Sequence, residues 1–251
     1  MVAGAEDGEL TLGHVRTTAS HTIAVPHLIE LLRQLPGPAT QDDYRAAVVD
    51  DNLLGRPTHA GRVRTYRHLR ELYRLDEGWA PFRALRRLWR ADRGSGPLLA
   101  ALLAFTQDET LRSTWPAVAR AGVGERVTSA DLTEAATVSL PPGLSPATLD
   151  KIGRNTGACW TQSGHLVGRA VKVRQPVEAT PAAVAFAAYL GYLSGLRGAR
   201  VLDVPWAALL DVEAHTHVAA LRRAHDAGLL DLQAAGHVVE VGFSLLEDGA
   251  R

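Results

Sequence analysis

Marked helix starts recur along this chain and restrict its fold more than any other feature. Thr40, Thr106 and Thr128 each lie three residues before an acidic side chain. In that spacing the hydroxyl accepts a hydrogen bond from the third helical amide, and the acid suits the positive end of the helix dipole. Ser145 and Thr180 precede a proline, which is tolerated at the first helical position. Together with apolar periodicity, these signals predict helices at 27–35, 40–52, 58–75, 81–91, 97–105, 107–121, 129–138, 146–162, 181–196, 204–211 and 214–227.

Strand signals are confined to the second half of the chain. Leu166–Arg174 contains an alternating Val-Lys-Val pattern, and Leu229–Leu232 and His237–Phe243 flank Gln233–Gly236, which is typical of a hairpin turn. The sequence therefore predicts a mainly α fold, a helical bundle with two winged-helix-like units in its second half. The predicted divisions are a helical domain at 1–125, a helix-turn-helix unit at 126–176 and a C-terminal winged-helix-like unit at 177–251.

The longer predicted helix of the helix-turn-helix unit, 146–162, has two chemically different faces. At about 100° per residue, one side collects Leu149, Ile152, Thr156, Cys159 and Trp160. The opposite side carries residue types that bond phosphates and base edges: Thr148, Lys151, Arg154, Asn155, Thr161 and Gln162. The following strand adds three cations that we expect to reach the flanking DNA backbone: Arg169, Lys172 and Arg174. This helix is the predicted recognition helix for duplex DNA.

Charge is strongly segregated although the chain is neutral overall. Residues 54–98 hold eleven Arg against four acidic residues, whereas 176–251 hold five basic against nine acidic residues. A phosphate backbone responds to local potential, so net neutrality does not exclude nucleic acid. The helix 58–75 has an apolar stripe formed by Val63, Tyr66, Leu69, Leu72 and Tyr73. Its basic side and the residue before it supply five candidate phosphate ligands: Arg56, Arg64, Arg67, Arg70 and Arg74.

Two interpretations of these arginines stay open. They bind phosphates, or they form a solvated face whose guanidinium groups pair with Asp50, Asp51 and Glu71. The next predicted helix continues the basic run with Arg83, Arg86, Arg87 and Arg90.

The C-terminal winged-helix-like unit, from Thr180 to Phe243, has the same order of helices and hairpin as the helix-turn-helix unit, but its exposed residues are chemically different. Its last helix is predicted to bury Val218, Leu221 and His225. The predicted outward face has a single charge and consists of Thr216, Ala219, Ala220, Arg223 and Ala227. Because the surroundings are acidic, protein contact is favoured here over DNA contact.

No catalytic or metal-binding pattern emerges from the sequence. Phosphate-loop, dinucleotide-binding and nucleophile-elbow motifs are absent. His215 and His217 are two residues apart, which does not place them on one helical face, and Cys159 falls on an apolar face. We therefore expect a protein that is not an enzyme and has no cofactor or metal. An acidic start at Met1–Leu10 and the lack of a long apolar run predict a cytoplasmic protein without a signal peptide or membrane span.

Three stretches between Tyr44 and Gln175 carry a family resemblance. The first is Asp51-Asn-Leu-Leu-Gly-Arg56 with the basic segment Arg62–Tyr73. The second is the helical middle with Leu111 and Trp115, and the third is Leu144–Ile152 followed by Trp160 and Gly164-His-Leu166. In these stretches the chain resembles the BrxA family, small accessory proteins of BREX bacteriophage-exclusion systems.

The resemblance implies an all-helical, non-catalytic, DNA-binding protein of a restriction-like phage-defence system. It implies double-stranded DNA as a partner, beside a methyltransferase, an ATPase and a phosphatase-like protein of the same system. Two alternatives stay open: a protein–protein scaffold of the defence complex without DNA binding, and a transcriptional regulator of a defence operon. The regulator would be a dimer on a palindromic site with half-sites about one helical turn apart.

Overall fold

The computed structural model describes residues 10–235 and 238–247, and their secondary structure is mainly helical. The first half contains α1 (Val25–Gln34), α2 (Gln41–Arg45) with a π-helical continuation (Ala46–Asp50), α3 (His59–Tyr73), α4 (Ala80–Ala91), α5 (Gly96–Gln107) and α6 (Glu109–Arg120). The second half contains α7 (Ser129–Ser139), α8 (Pro146–Gln162), β1 (Leu166–Val167), β2 (Val173–Arg174), α9 (Pro181–Leu193), α10 (His217–Asp226), β3 (Asp231–Ala235), β4 (Val238–Gly242) and α11 (Ser244–Glu247).

The described residues group into two compact units. Unit 1 is formed by 10–11, 76–102, 178–235 and 238–247, and unit 2 by Leu12–Leu75 and Leu103–Val177. Each unit therefore contains segments that are far apart in the sequence. The absence of a signal peptide is predicted from the acidic start at Met1–Leu10. Residues 1–9 of that segment lie outside the described residues.

Four of the five predicted helix starts are confirmed. Thr40 and Thr128 each accept a hydrogen bond from the third helical amide, and the acid at that position accepts one from the capping backbone. Ser145 and Thr180 cap α8 and α9 ahead of their prolines. Local side-chain chemistry alone is sufficient to locate these helix ends.

The predicted start at Thr106 is wrong. α5 continues to Gln107, so Thr106 lies in its last turn and donates to the Leu103 carbonyl at 2.8 Å. Asp108 caps α6 instead, because its carboxylate accepts the Leu111 amide at 2.8 Å. The same carboxylate accepts the amide and the hydroxyl of Thr18, at 2.9 and 2.7 Å.

The core of unit 2 is built around an aromatic cluster on α8. Trp160 is completely buried, its indole N–H donates to the Thr114 hydroxyl at 3.0 Å, and its ring lies 5.1 Å from that of Trp115. His165 completes the cluster, with its ring edge-on to both tryptophans. The packing of α6 on α8 thus fixes which side of α8 faces inward.

The core of unit 1 is organised by α9. Every residue from Ala182 to Leu190 is buried, as expected for a helix that is apolar on all sides. α4 and α10 pack on it. The predicted helix at 204–211 is present as a 3-10 helix at Pro205–Leu210.

Two predictions about the C-terminal pattern are wrong. In α10, Leu221 is buried as predicted, but Val218 is 37% exposed and His225 is also exposed. Ala220, which is predicted to face outward, is buried together with Ala224. β3 and β4 pair in register from Asp231 with Gly242 to Ala235 with Val238, so Gln233 belongs to a strand and not to the predicted turn. The predicted turn and strand residues Gly236 and His237 lie outside the described residues.

The helices of the described ranges are all too short or too polar to cross a bilayer.

Candidate nucleic-acid interface

All twelve candidate DNA-binding residues belong to unit 2. They lie on three parts of that unit: α3 with the residues next to its ends, α8, and the hairpin β1–β2 with its connection. Each part exposes some of its cations and uses others within the fold.

The orientation of α8 agrees with its predicted apolar face. Ile152, Thr156, Cys159 and Trp160 are buried, as predicted, and Leu149 is half-buried. Lys151 and Arg154 are exposed on the other side. The two basic side chains of the predicted recognition helix are therefore accessible to a ligand.

The remainder of the predicted outward face of α8 is partly covered. Asn155 is half-buried, and its amide donates to the Ala19 carbonyl at 3.1 Å. Gln162 accepts the Val25 amide and donates to the Thr22 hydroxyl, both at 3.1 Å. These two side-chain amides hold the segment before α1 against α8, so their hydrogen bonds are used within the fold.

The polar residues at the two ends of α8 also have local partners. Thr148 is half-buried, and its hydroxyl lies 2.9 Å from that of the capping Ser145. Thr161 donates to the Gly157 carbonyl at 3.0 Å. Of the residues predicted to face DNA from α8, Lys151 and Arg154 are thus the ones that are exposed, while the others are half-buried.

The hairpin β1–β2 is extended by a third segment that the sequence analysis did not identify. The Arg174 amide donates to the Glu125 carbonyl at 2.8 Å, and the Val127 amide to the Lys172 carbonyl at 3.0 Å. β2 therefore lies between β1 and residues 124–127, which lead directly into α7. This pairing brings Arg126 beside the hairpin.

A groove of about 760 Å³ opens between α7, α8 and the β1–β2 connection. Its described lining includes four cationic residues and no carboxylate, and the cations are Arg126, Arg154, Arg169 and Lys172. Three of the four are exposed and Lys172 is half-buried. The groove has the charge and the concavity that an anionic ligand requires.

Lys172 contacts α8 within this groove. Its ammonium donates to the Thr161 hydroxyl at 2.9 Å, and a Cβ at Gly157 would lie 3.3 Å from its side chain. Burial lowers the pKa of Lys172. An anion in the groove would oppose that effect by stabilising the ammonium form.

Arg174 does not lie on the surface as expected. It is 6% exposed, and its guanidinium donates to the backbone carbonyls of Val118, His165 and Gln175. The physical reason is the pairing of β2 on both edges, which turns this side chain under the hairpin toward α6. The prediction of Arg174 as a phosphate ligand is therefore wrong, and this residue connects three segments of unit 2.

On α3, the predicted stripe is buried except at its first residue. Tyr66, Leu69, Leu72 and Tyr73 are buried, whereas Val63 is 43% exposed. The basic side exposes Arg64, Arg67 and Arg70, and Arg74 is exposed at the end of α3, where it has a positive φ of 56°.

Ion pairing along the exposed side of α3 is sparse. Arg67 lies 3.7 Å from Glu71, and Asp50 pairs with Arg45 of α2, not with α3. Arg70 lies 6.0 Å above the ring of Tyr66. Within the described ranges, the alternative that these arginines pair with acidic side chains applies to Arg67, and not to Arg64 or Arg70.

Residues before α1 connect the basic side of α3 with that of α8. The Lys151 ammonium donates to the Ser20 hydroxyl at 3.3 Å, and the adjacent His21 ring lies 3.4 Å from the ring of His68 on α3. The pKa of His21 is lowered first by burial and then by the charges of Lys151, Arg64 and Arg67. Cations of α3 and α8 thus both act on the His21 ring.

The basic run of α4 has a different role from that expected of a phosphate-binding surface. Arg86 is buried and pairs with Glu77, while Arg83 donates to the Glu77 carbonyl at 2.8 Å. Arg87 donates to the Leu245 carbonyl at 2.7 Å. These arginines are used within unit 1 to bind its own backbone and side chains.

Sequence reasoning missed Arg126, His21 and His68, because their neighbours are distant in the chain.

Among the described residues, no group of three or more His, Cys, Asp or Glu side chains is arranged to hold a metal ion. No protein-family model matches the chain, and a search of curated proteins finds no match.

Proposed function

We propose that the protein is a non-catalytic component of a BREX-type phage-defence system and binds double-stranded DNA through unit 2. The observation that carries this proposal is the contact of both helices with Ser20 and His21: Lys151 of α8 donates to the Ser20 hydroxyl, and His68 of α3 packs on the His21 ring. Arg64 and Arg67 of α3 act with Lys151 to lower the pKa of His21, and Glu71 opposes them. Residues from two helices form one positive region there, and a phosphate backbone is the polyanion that such a region suits.

The order of elements at the C-terminal end of unit 2 supports a duplex ligand. α6, residues 124–127, α7, α8 and the hairpin β1–β2 follow one another, and 124–127 hydrogen-bond to the hairpin. This is the order of a winged helix, in which the third helix lies in the major groove and the hairpin contacts the flanking backbone. In this proposal α8 is the recognition helix.

Each basic residue has a specific role in the proposed complex. Lys151 and Arg154 face the DNA from α8, and Arg169 and Lys172 bind phosphates from the hairpin side of the groove. Thr148 and Asn155 position the helix through their own hydrogen bonds. The phosphate contacts continue along α3 through Arg64, Arg67 and Arg70, with Arg56 and Arg74 at its two ends.

The proposed setting follows from the family resemblance. The protein would act in the cytoplasm beside a DNA methyltransferase, an ATPase and a phosphatase-like protein. Its contribution would be to hold DNA for those partners, without a cofactor or metal of its own.

Charge reversal on α8 tests this proposal. Lys151→Glu with Arg154→Glu should weaken binding of a labelled duplex at least tenfold, because two attractive phosphate contacts become repulsive. The logarithm of affinity should also fall less steeply with the logarithm of salt concentration, by about 0.9 for each phosphate that the variant no longer neutralises. Fluorescence anisotropy across a salt series measures both quantities.

The matched control places the same charge change on unit 1. Arg222→Glu with Arg223→Glu reverses two exposed arginines of α10 and should leave duplex affinity within about twofold. Equal loss of affinity in both double variants, or unchanged affinity in the α8 variant, contradicts the assignment of the interface to α8.

A scaffold without DNA binding is the second candidate, and one observation favours it. Unit 1 exposes Val218 of α10, Val238 of β4 and Leu245 of α11, the second at 61%. Exposed apolar side chains are typical of a protein contact where they form one contiguous patch. This candidate predicts no duplex binding at about 50 mM salt, and loss of copurifying defence proteins when Val238 is changed to Lys.

A further inference from the structure

A second concave site lies in unit 2, between the residues before α1 and the start of α3. Its volume is about 350 Å³, and the first turns of α3 form one wall. Its described lining contains no carboxylate and includes three histidines and two arginines: His21, His27, His68, Arg56 and Arg64. The concentration of donors and the absence of acids from this lining indicate an anionic ligand.

One arginine of this site is fixed in place by a neutral histidine. The Arg56 guanidinium lies 3.1 Å from His27 Nε2, and because guanidinium groups only donate, Nε2 is the acceptor. A proton on Nε2 would break this bond and place two cations together. The pKa of His27 is accordingly lowered by burial and by Arg56. His27 therefore positions Arg56.

The other arginine, Arg64, is exposed on α3 and has no carboxylate within ion-pair distance in the described part of the chain. α3 is fifteen residues long, and its first amides lie beside the cavity, where Thr58 and Gly61 form the rim. The dipole of such a helix adds positive potential to that of Arg64. The cavity thus has a fixed cation at Arg56 and an available one at Arg64.

The rings of His21 and His68 also line the cavity, and their centroids are 3.4 Å apart. Two imidazolium rings at that separation repel each other, so the pair carries at most one added proton. Burial and His21 lower the pKa of His68 to about 4, and Lys151, Arg64 and Arg67 act in the same direction on His21. Glu71 is the one facing group that favours protonation of the pair among those described.

We propose that this cavity binds a phosphate group between Arg56 and Arg64, and that the His21–His68 pair takes up one proton as the phosphate enters. A dianion beside the pair supplies the negative charge that offsets the surrounding arginines. Proton uptake and anion binding then reinforce each other, which is a linkage between two equilibria. The cavity shares Arg56 and Arg64 with the proposed duplex interface, but binding of a small anion there does not require a duplex.

Sulfate is the probe that isolates the protein's own proton. It has the shape of phosphate and keeps both its charges near neutral pH, so any pH dependence of its binding belongs to the protein. NMR of the histidine ring protons in the full chain, titrated with sulfate, should give saturable shifts of His21 and His68. Affinity should rise as the pH falls from about 7.5 to about 6, by at most about tenfold per pH unit for one proton taken up.

Two variants separate the anion ligands from the proton acceptor. Arg64→Gln should weaken sulfate binding at least tenfold at both pH values. His21→Gln with His68→Gln should leave weak binding that no longer depends on pH. His21→Gln alone changes the more accessible ring and reports the same flattening if the double variant does not fold.

The matched control is Arg120→Gln, which removes an exposed arginine of α6 in the same unit. It should bind sulfate as the unmodified chain does. The absence of saturable histidine shifts, an equal loss in Arg64→Gln and Arg120→Gln, or identical sulfate affinity at the two pH values would overturn the proposal.

Measurements of duplex affinity decide where the phosphate group comes from. If the cavity takes a backbone phosphate, His21→Gln lowers duplex affinity near pH 6 more than near pH 7.5, and sulfate competes with the duplex at constant ionic strength. If it takes a free phosphorylated compound, duplex affinity is unchanged while inorganic phosphate binds as sulfate does. Both results support the cavity, and the sulfate titration stands even if no duplex binds.

Discussion

Arg174 shows how one residue type serves two purposes in this unit. Arg169 and Arg174 belong to the same hairpin, yet the first is exposed and the second is 6% exposed with three carbonyl partners. Buried charges are stabilising only where hydrogen bonds replace the lost water. The carbonyls of Val118 and His165 provide that replacement, and Arg174 in turn satisfies groups near the ends of α6 and α8.

Arg174→Met is expected to lower the free energy of unfolding by about 2–4 kcal/mol, because it leaves buried carbonyls without a donor. Urea unfolding followed by circular dichroism measures this change. Arg169→Met is the matched control and should stay within about 0.5 kcal/mol, while duplex affinity should fall only in the Arg169 variant. Equal stability of the two variants would contradict the structural role of Arg174.

At the scale of elements, two glycines of α8 allow α7 and the hairpin to approach it closely. A Cβ on Gly153 would overlap the Ser129 carbonyl oxygen and the Thr133 hydroxyl at the start of α7. A Cβ on Gly157 would instead meet the side chains of Leu132 and Lys172, at 3.2 and 3.3 Å. The first of these contacts is with backbone, which cannot yield, whereas the neighbours of Gly157 are flexible side chains.

Gly153→Ala and Gly157→Ala therefore have different expected outcomes although the chemical change is the same. Alanine favours a helix by about 1 kcal/mol over glycine at either position. At Gly153 the overlap with α7 outweighs that gain, and the free energy of unfolding should fall by about 1–3 kcal/mol. Gly157→Ala should change it by less than about 1 kcal/mol. Thermal melts of both variants measure these changes in stability. A stabilised Gly153→Ala variant would show that α7 is not packed against α8 as described.

The same elements show what the sequence predicts and what it does not. The caps at Thr40, Thr128, Ser145 and Thr180 follow from the sequence because their partners are three residues away. The prediction fails at Thr106 because Asp108, two residues later, is also a capping residue and is the one that caps α6. Local chemistry gives element type and position, and fails where two possible caps are close together.

In the candidate site too, some features follow from the local sequence and others do not. The exposure of Lys151 and Arg154 follows from helical periodicity, and the structure agrees with it. The hydrogen bond of Asn155 with Ala19 spans 136 residues, and the contact of His21 with His68 likewise joins distant segments. No local pattern encodes such contacts, so the covered part of α8 and the histidine cavity could not be inferred from spacing.

At the scale of the whole molecule, the units are interleaved in the sequence. Unit 2 combines Leu12–Leu75 with Leu103–Val177, and α5 contributes residues to both units. A segment that looks complete by its helix–helix–hairpin order is consequently only part of a core. Trp160 illustrates this, because its partners Thr114 and Trp115 belong to α6.

A fragment containing residues 126–176 alone is therefore expected not to fold cooperatively, although it includes α7, α8 and the hairpin. It lacks α6 behind Trp160 and the Ala19 turn that Asn155 contacts, and chains of roughly 50 residues bury too little apolar surface to compensate. Circular dichroism should show low helix content and no sigmoidal melt, whereas the fragment 103–177, which restores α6, should gain helix content. A cooperative melt of 126–176 with the fluorescence of a buried Trp160 would contradict this and establish the segment as an autonomous domain.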